Sequence, residues 1–323
     1  MPKSTNSTPS TPTATESLLA LLLSNFMILT FGFLTALPYL LYGARGMWIV
    51  FVPYYVCNAI MAQHSNDGYQ NESFARSFPV FHYLRKHIGL SAEVPKSLSE
   101  SDGQYIFAMF PHGTGSDFRV LLQGMLPDLF PKFHSKIRSL AASVLFYIPF
   151  IREITLVTGC IEASRHVAEK AIRNGRTILV LPGGEAEQLL TQQFTEKVYL
   201  KKRKGFVKLA LKHNLPLVPA YVFGSNDLYT TSDSFFDARW ALMKRFGVCL
   251  PLCKGYFKTP FCPLPIKNTI VFGEPIKLPK IENGEVSPEQ LNEVHELFTI
   301  ELKKLFDKNK ARFGMGDREL VIV

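Results

Sequence analysis

Hydrophobic residues form two long runs within the first sixty positions, whereas beyond residue 100 they occur in short clusters. The first run covers residues 18–42 and is broken only by small polar residues and Pro38. As a helix it would extend about 37 Å, which is enough to cross a bilayer with some tilt. It is too long for the core of a signal peptide. The pattern therefore predicts a membrane anchor near the start of the chain.

The second run, residues 47–62, follows a polar gap at residues 43–46. Its helical length is about 24 Å, which is short for a membrane span. It either returns the chain through the membrane as the second arm of a helical hairpin or lies at the membrane surface as an interfacial helix. Basic residues follow at Arg76, Arg85 and Lys86. They favour the hairpin, which holds them on the cytosolic side.

These patterns divide the chain into three parts. Residues 1–16 are rich in Ser, Thr and Pro without apolar periodicity, and we expect them to be a disordered tail. Residues 17–63 form the membrane anchor. The remaining residues, 64–323, are enough for one large cytosol-facing α/β domain.

Short, fully apolar runs alternate with amphipathic segments in the larger part. The runs predict buried strands, and the segments between them predict helices. The predicted strands are residues 105–110, 177–181, 217–222 and 269–272, and the predicted helices are residues 163–174, 205–213 and about 287–309. Strands that alternate with helices favour a mainly parallel sheet flanked by helices on both faces.

Composition limits the partners of this chain. The apolar fraction of 47% fits a globular protein with some membrane content. A net charge of +9 suits anionic partners such as phospholipid headgroups or coenzyme phosphates. Nucleic acid is disfavoured because the sequence has neither zinc-finger spacing nor a basic region that runs into heptads.

The five cysteines are odd in number and irregular in spacing, so they predict no disulfide framework. We expect reduced, mostly buried thiols in a protein that faces the cytosol. Cys249 and Cys253 lie four residues apart, but no second pair or histidine completes a zinc set. The sequence therefore predicts no metal site.

His112 follows the predicted strand 105–110 directly after Pro111. In open α/β sheets ligands bind at the carboxyl ends of strands, and Gly113 lets the backbone approach a ligand closely. No Ser or Cys is placed as a nucleophile, so His112 is the candidate general base for a substrate hydroxyl. The alternative is an ordinary turn residue.

Asp117 lies five residues after His112. On a regular helix this spacing points the two side chains apart, but a glycine-rich turn would let the carboxylate reach an imidazole nitrogen. It would then fix the tautomer and stabilise the charged ring. Alternatively, Asp117 caps the helix that follows.

A second glycine-rich turn follows the predicted strand 177–181. Backbone N–H groups at Gly183 and Gly184 can bind an oxyanion or a phosphate. The next acidic residues, Glu185 and Glu187, would repel a phosphate. They therefore favour a role in ordering the site or in holding a hydroxyl acceptor, against the alternative of a plain turn with solvated carboxylates.

A basic run lies at the start of the predicted helix 205–213. It includes Arg203 and Lys204, with Lys208 one turn into the helix. The helix N-terminus adds to the positive field, which suits the phosphates of coenzyme A or of a lipid headgroup. The alternative is a solvated charged surface.

Together these segments resemble the type-2 diacylglycerol acyltransferase family, which also contains monoacylglycerol and wax-alcohol acyltransferases. The resemblance is carried by residues 110–113, 182–187, 203–210, 217–219, 223–227 and 271–276. Many members have His-Pro-His-Gly where this chain has Phe110 at the first position. His112 is consequently the only histidine of the motif here.

The resemblance implies a glycerolipid acyltransferase-like fold and transfer of a fatty acyl group from acyl-coenzyme A to a neutral lipid alcohol. It implies His112 as the catalytic histidine, with Asp117 or Glu187 as its partner. The implied substrate-binding residues are Pro111, Gly113, Gly183, Gly184, Arg203, Lys204, Gly205 and Lys208. It implies an endoplasmic reticulum membrane location with the catalytic domain facing the cytosol, association with lipid droplets, and no cofactor besides the co-substrate.

Diacylglycerol is the expected acceptor and triacylglycerol the expected product. Monoacylglycerol, a long-chain alcohol and a lysophospholipid are the alternatives. A non-catalytic lipid-binding or droplet protein is a more distant alternative, and a hydrolase is disfavoured because the sequence lacks a Gly-x-Ser-x-Gly elbow. The oligomeric state, including a homo-oligomer, stays open.

Overall fold

A computed structural model describes residues 11–61, 67–281 and 285–323 of the chain. Within these residues seven strands form the central sheet, in the order β1-β10-β7-β2-β5-β3-β4. The strands in the described residues are β1 Ser91–Glu93, β2 Ile106–Phe110, β3 Ile137–Ala141, β4 Cys160–Glu162, β5 Thr177–Val180, β6 Glu196–Val198, β7 Leu217–Phe223, β8 Thr230–Thr231, β9 Cys253–Lys254, β10 Thr269–Phe272 and β11 Leu320–Ile322.

Twelve α-helices accompany these strands in the part of the chain that the structure covers. They are α1 Ala14–Met61, α2 Glu72–Ser77, α3 Pro79–His87, α4 Lys96–Ser99, α5 Asp117–Leu122, α6 Leu126–Leu129, α7 Ile151–Val157, α8 Arg165–Arg173, α9 Gly184–Leu190, α10 Gly205–His213, α11 Phe236–Phe246 and α12 Pro288–Asn309. A capping box of Ser287 and Gln290 opens α12, with Ser287 Oγ accepting from Gln290 N–H at 3.2 Å.

The sheet is mainly parallel, which confirms the predicted fold class. β2 lies near its centre and pairs in parallel with β7 on one side and β5 on the other. The pairing of β10 with β7 is the antiparallel one in this sheet. All residues of β2, β7 and β10 are buried, as the uninterrupted apolar runs predicted. The predicted run 177–181 corresponds to β5. The other strands of this sheet, β1, β3 and β4, were not predicted, and β3 and β4 carry no long apolar run.

Each face of the sheet is covered by its own hydrophobic layer. Helices α8, α10 and α12 pack on one face. Helices α3, α5 and α6 pack on the other, together with Leu23 and Met27 of α1. The apolar segment at the start of the chain therefore lies against one face of the domain.

Helix α1 begins inside the segment predicted to be a disordered tail. Thr13 and Glu16 form a reciprocal cap: Thr13 N–H donates to Glu16 Oε2 at 3.0 Å, and Glu16 N–H donates to Thr13 Oγ1 at 3.2 Å. This cap explains the helical start at Ala14. The first ten residues of the predicted tail lie outside the described residues.

The backbone of α1 folds back at Gly43, which has φ 58° and ψ −151°. Gly46 lies against Pro38, and a Cβ at Gly46 would clash with the Pro38 carbonyl oxygen. Phe31 precedes the bend at Gly43 and Tyr54 follows it. They nevertheless contact residues of the same segment, Phe150 and Glu153 respectively. The segment is therefore a helical hairpin, and by length and composition α1 is able to cross a membrane.

All five cysteines are free thiols. The expectation that most of them are buried is wrong, because burial is complete only at Cys160 and Cys262. Cys57 is exposed on the second arm of the hairpin.

Candidate active site

His112 lies just beyond the carboxyl end of β2, after a cis peptide bond between Phe110 and Pro111. Its Nδ1 is 3.0 Å from the Gly113 carbonyl oxygen. Ser116 Oγ is 3.0 Å from Nδ1 and 3.1 Å from Nε2. Burial lowers the pKa of His112, against smaller opposing effects from the Gly113 carbonyl and Glu185. The imidazole is therefore neutral near pH 7 and able to accept a proton.

Glu187 is buried and holds the backbone on which His112 sits. One carboxylate oxygen accepts the His112 backbone N–H, and the other accepts the Tyr199 backbone N–H at 2.6 Å. Burial raises the pKa of Glu187 to about 7, although both N–H bonds favour the ionised form. Glu187 thus connects β2 to the segment before α10.

Asp117 points away from the catalytic histidine candidate. As the first residue of α5, it accepts a hydrogen bond from the Tyr229 hydroxyl at 3.0 Å. Burial raises the pKa of its carboxyl.

The expected carboxylate–imidazole pair is therefore not formed among the described residues. Asp117 is turned toward Tyr229, and Glu187 binds the main chain of His112 instead of its ring. Ser116 lies beside the His112 ring, where the carboxylate was expected. The sequence analysis did not identify Ser116. A hydroxyl four residues after the histidine, inside a glycine-rich turn, is the signal that could have identified it.

Two glycines are required by close approach at this edge of the sheet. Gly113 has φ 65°, and a Cβ there would clash with Ser225 Oγ in the turn after β7. A Cβ at Gly183 would clash with the Glu187 carboxylate. The ends of β2, β5 and β7 therefore meet with no room for a further side-chain atom at either glycine.

Replacing Gly183 by alanine should displace Glu187 and, through it, the His112 backbone. We expect a loss of roughly 100-fold in kcat with the protein still folded, since misplacement by about 1 Å has an effect of that size. Gly316→Ala is the matched control, because its Cβ would meet Ala311 at ordinary contact distance. Equal kcat values for Gly183→Ala and the control would show that Glu187 does not position the site.

The predicted basic residues have different partners. Arg203 donates to the Gly183 carbonyl oxygen at 3.1 Å and lies over the Tyr199 ring, 5.1 Å from its centroid. Lys204 Nζ donates to Asn292 Oδ1 at 2.6 Å. Lys208 is exposed on α10. The structure therefore assigns Arg203 and Lys204 to local contacts and leaves Lys208 accessible to solvent.

A groove of about 320 Å³ opens between α8 and α10. Its floor is apolar and its rim is largely basic. The floor includes Leu140, Ile178, Val180, Phe206 and Leu209, and the rim includes Arg165, Lys208, Lys212 and Glu169. Because both helices run antiparallel to the central strands, their N-terminal halves lie at the same edge of the sheet as His112.

The family model of the diacylglycerol acyltransferases matches residues 39–323. The chain belongs to this family. It is therefore an acyltransferase enzyme, and the family predicted from the glycine and histidine motifs is confirmed.

Curated relatives match over most of this acyltransferase. It is 30% identical to mouse (Mus musculus) 2-acylglycerol O-acyltransferase 1, with 85% of each chain covered. It is 34% identical to human (Homo sapiens) acyl-CoA wax alcohol acyltransferase 2 over 67% of each chain, and 29% identical to zebrafish (Danio rerio) diacylglycerol O-acyltransferase 2 over 91% of this chain and 85% of the relative. A crystal structure of a 1-acyl-sn-glycerophosphate acyltransferase from Thermotoga maritima covers 90% of this chain and 98% of its own at 18% identity. The two structures have a TM-score of 0.42.

Proposed function

We propose that this acyltransferase transfers a fatty acyl group from acyl-coenzyme A to the free hydroxyl of diacylglycerol, forming triacylglycerol and free coenzyme A. The observation that carries the proposal is the position of the His112 imidazole at the carboxyl end of β2, beside the Ser116 hydroxyl and on a turn ordered by Glu187. The relatives named above act on a 2-acylglycerol, a wax alcohol and a diacylglycerol, all of which present a hydroxyl group.

In the proposed mechanism His112 is the general base. Nδ1–H donates to the Gly113 carbonyl oxygen, which leaves Nε2 unprotonated and facing the Ser116 hydroxyl. Nε2 accepts the proton of the acceptor hydroxyl as its oxygen attacks the thioester carbonyl carbon. When the carbon–sulfur bond breaks, the imidazolium returns this proton to the coenzyme A thiolate. The reaction then needs no cofactor besides the co-substrate.

Ser116 and the two carboxylates act as positioning residues in this mechanism. The Ser116 hydroxyl and the Gly113 carbonyl orient the ring, and Glu187 fixes its backbone. Asp117 anchors the start of α5 through Tyr229. The backbone N–H of Gly113 is the proposed oxyanion donor, since the Gly184 N–H already donates to the Leu181 carbonyl oxygen at 3.1 Å.

Acyl-coenzyme A is proposed to bind along the N-terminal end of α10. The groove beside α8 offers an apolar floor, and Lys208 offers an exposed cation one turn into the helix. Arg203 and Lys204 shape the entrance through their contacts with Gly183 and Asn292, while Gly205 begins the helix at the groove. The phosphates of the coenzyme would face this basic end.

Charge reversal at Lys208 tests the coenzyme site. Lys208→Glu should raise KM for acyl-coenzyme A by about tenfold, which corresponds to about 1.4 kcal/mol of lost charge attraction, and leave KM for diacylglycerol unchanged. Lys303→Glu, at an exposed position on α12, is the matched control. A KM for acyl-coenzyme A that is the same in both variants would place the coenzyme elsewhere.

We also propose that residues 17–63 insert as a hairpin into the endoplasmic reticulum membrane, with residues 64–323 on the cytosolic side. Most large apolar residues of α1 are exposed, which suits contact with lipid. Acyl-coenzyme A then arrives from the cytosol and the neutral acceptor from the membrane.

Lipid profiling in a host that lacks its own triacylglycerol synthesis tests the acceptor. Expression of the wild-type chain should produce triacylglycerol, and expression of His112→Ala should not. Three other products without triacylglycerol would each indicate a different acceptor. Wax ester would indicate a long-chain alcohol, diacylglycerol would indicate monoacylglycerol, and phosphatidate would indicate a lysophospholipid. A lipid profile unchanged from the empty host would contradict the enzyme proposal.

A further inference from the structure

Both arms of the hairpin pack against the same segment of the catalytic domain. The Phe31 ring stacks on Phe150 with their centroids 5.2 Å apart. On the other arm, the Tyr55 hydroxyl donates to the Tyr147 carbonyl oxygen at 2.8 Å, and the Tyr54 hydroxyl donates to Glu153 at 2.9 Å. The hairpin is therefore held to the domain partway along its length.

The tip of the hairpin has the chemistry of a membrane interface. Tyr42 and Trp48 flank the fold at Gly43 and are 71% and 70% exposed, with Arg45 exposed between them. Aromatic residues are enriched at the headgroup level, whereas an arginine at the bilayer centre is costly. The tip therefore belongs at the far interface of the bilayer.

Helix geometry then fixes the depth of the contacts with the domain. Phe31 precedes Gly43 by twelve residues, and Tyr54 follows it by eleven. At 1.5 Å per residue they lie about 18 Å and 17 Å from the tip. Since the hydrocarbon core is about 30 Å thick, both residues lie inside the near leaflet. The segment that they contact must lie there as well.

The surface of that segment suits hydrocarbon. Val144, Tyr147 and Ile148 are 38%, 57% and 43% exposed, which is unusual for neighbouring large apolar residues on a soluble domain. The nearby charge of Glu153 is paired with Arg152 at 3.0 Å. Pairing reduces the cost of placing a carboxylate near lipid.

A second turn contacts the hairpin closer to the cytosol. The Thr259 hydroxyl donates to Asn25 Oδ1 at 2.7 Å, and Asn25 lies about 27 Å from Gly43 along the helix. The side chain of Phe257 in this turn is 73% exposed, and Lys258 follows it. An aromatic ring beside a lysine suits the boundary between anionic headgroups and acyl chains.

We propose that residues 143–150 and 256–261 form a membrane-embedded surface, named here the leaflet surface. The catalytic domain is then partly inserted into the cytosolic leaflet on two sides of the hairpin. It is not held clear of the membrane surface by the hairpin. The inference rests on insertion of the hairpin, as proposed above. It gives a neutral acceptor dissolved in the leaflet a route to the domain that does not cross water.

Depth-dependent quenching of tryptophan fluorescence tests the leaflet surface. The chain has two tryptophans, so Trp48→Phe with Trp240→Phe gives a background without tryptophan. Single tryptophans are then introduced as Phe257→Trp, Ile148→Trp or Ile300→Trp. Ile300 is the matched control: it is 44% exposed on α12, which packs on the sheet face opposite the hairpin. The full-length variants are reconstituted into liposomes of phosphatidylcholine and phosphatidylserine with brominated acyl chains.

We expect bromolipid to quench tryptophan at positions 148 and 257 but not at position 300. Trp240→Phe, which keeps Trp48, reports separately on the hairpin. Quenching of Trp48 without quenching at 148 and 257 would overturn the leaflet surface and leave hairpin insertion intact. Absence of quenching at Trp48 would overturn hairpin insertion and, with it, this inference. Equal quenching at 148, 257 and 300 would overturn the leaflet surface too.

Discussion

Replacing His112 by alanine will reduce acyl transfer by roughly 1,000-fold or more, because a general base contributes two to four powers of ten to the rate. The substitution removes the imidazole that faces Ser116 and leaves the Glu187 contact intact, since that contact uses the backbone N–H. The protein should therefore fold and insert into membranes as before. Initial rates in microsomes with labelled acyl-coenzyme A measure the effect.

The matched control is His166→Ala, which removes an exposed imidazole from α8. It should retain wild-type rates. If His112→Ala also retained its activity at equal protein levels, another residue would have to be the base.

The second large effect is expected for Glu187→Gln. Glu187 accepts two backbone N–H bonds, and a glutamine amide has only one oxygen to accept them. The amide N–H₂ would face a donor, so the His112 backbone should shift. We expect kcat to fall by roughly 100-fold, with Glu301→Gln on the surface of α12 as the unaffected control.

The same residue predicts the pH dependence of the reaction. Burial raises the pKa of Glu187 to about 7, so its carboxyl gains a proton as the pH falls below that value. Protonation converts one of the two accepting oxygens into a hydroxyl, which accepts the backbone N–H less well. We therefore expect kcat to fall as the pH is lowered from 8 to 6. The pKa of His112 is lowered by burial, so the imidazole is still neutral where this fall begins. In Glu187→Gln the fall near pH 7 should be absent; an unchanged profile would assign that titration to another group.

Stability should follow the opposite trend, because the raised pKa means that the folded protein binds more protons than the unfolded chain between about pH 4.5 and 7. The free energy of unfolding then decreases as the pH rises through this window. Urea unfolding at pH 5 and pH 8 measures this contribution: the decrease should be smaller in Glu187→Gln than in the wild-type protein, and an equal decrease in both would assign it to other groups.

Much of the fold was predictable because its central strands are buried on both faces. The predicted runs 105–110 and 217–222 match β2 and β7 within one residue at each end. Parallel strands between two helical layers need no polar alternation, so the apolar run alone indicates them. β3 and β4 were not predicted because Arg138, Ser139 and Glu162 interrupt their apolar residues. Their side chains are accommodated through contacts that only the folded chain provides.

The sequence predicted that the candidate site residues lie together, but it did not predict their contacts. His112, Gly183 and Glu187 lie together because the carboxyl ends of parallel strands share one edge of the sheet. Which atoms meet depends on the left-handed backbone of Ser116 at φ 52° and on the turn of Asp117 toward Tyr229. The orientation of Asp117 depends on Tyr229, which lies more than 100 positions away in the sequence. Spacing within the histidine motif does not reveal such a partner.

The role of His112 as the base for acyl transfer to diacylglycerol is open to a direct test. The most direct measurement incubates purified wild-type protein and His112→Ala, in liposomes that contain diacylglycerol, with acyl-coenzyme A labelled in the acyl chain. We expect labelled triacylglycerol from the wild-type protein and none above background from the variant. Labelled triacylglycerol from both proteins at the same rate, or no labelled triacylglycerol from the wild-type protein, would contradict it.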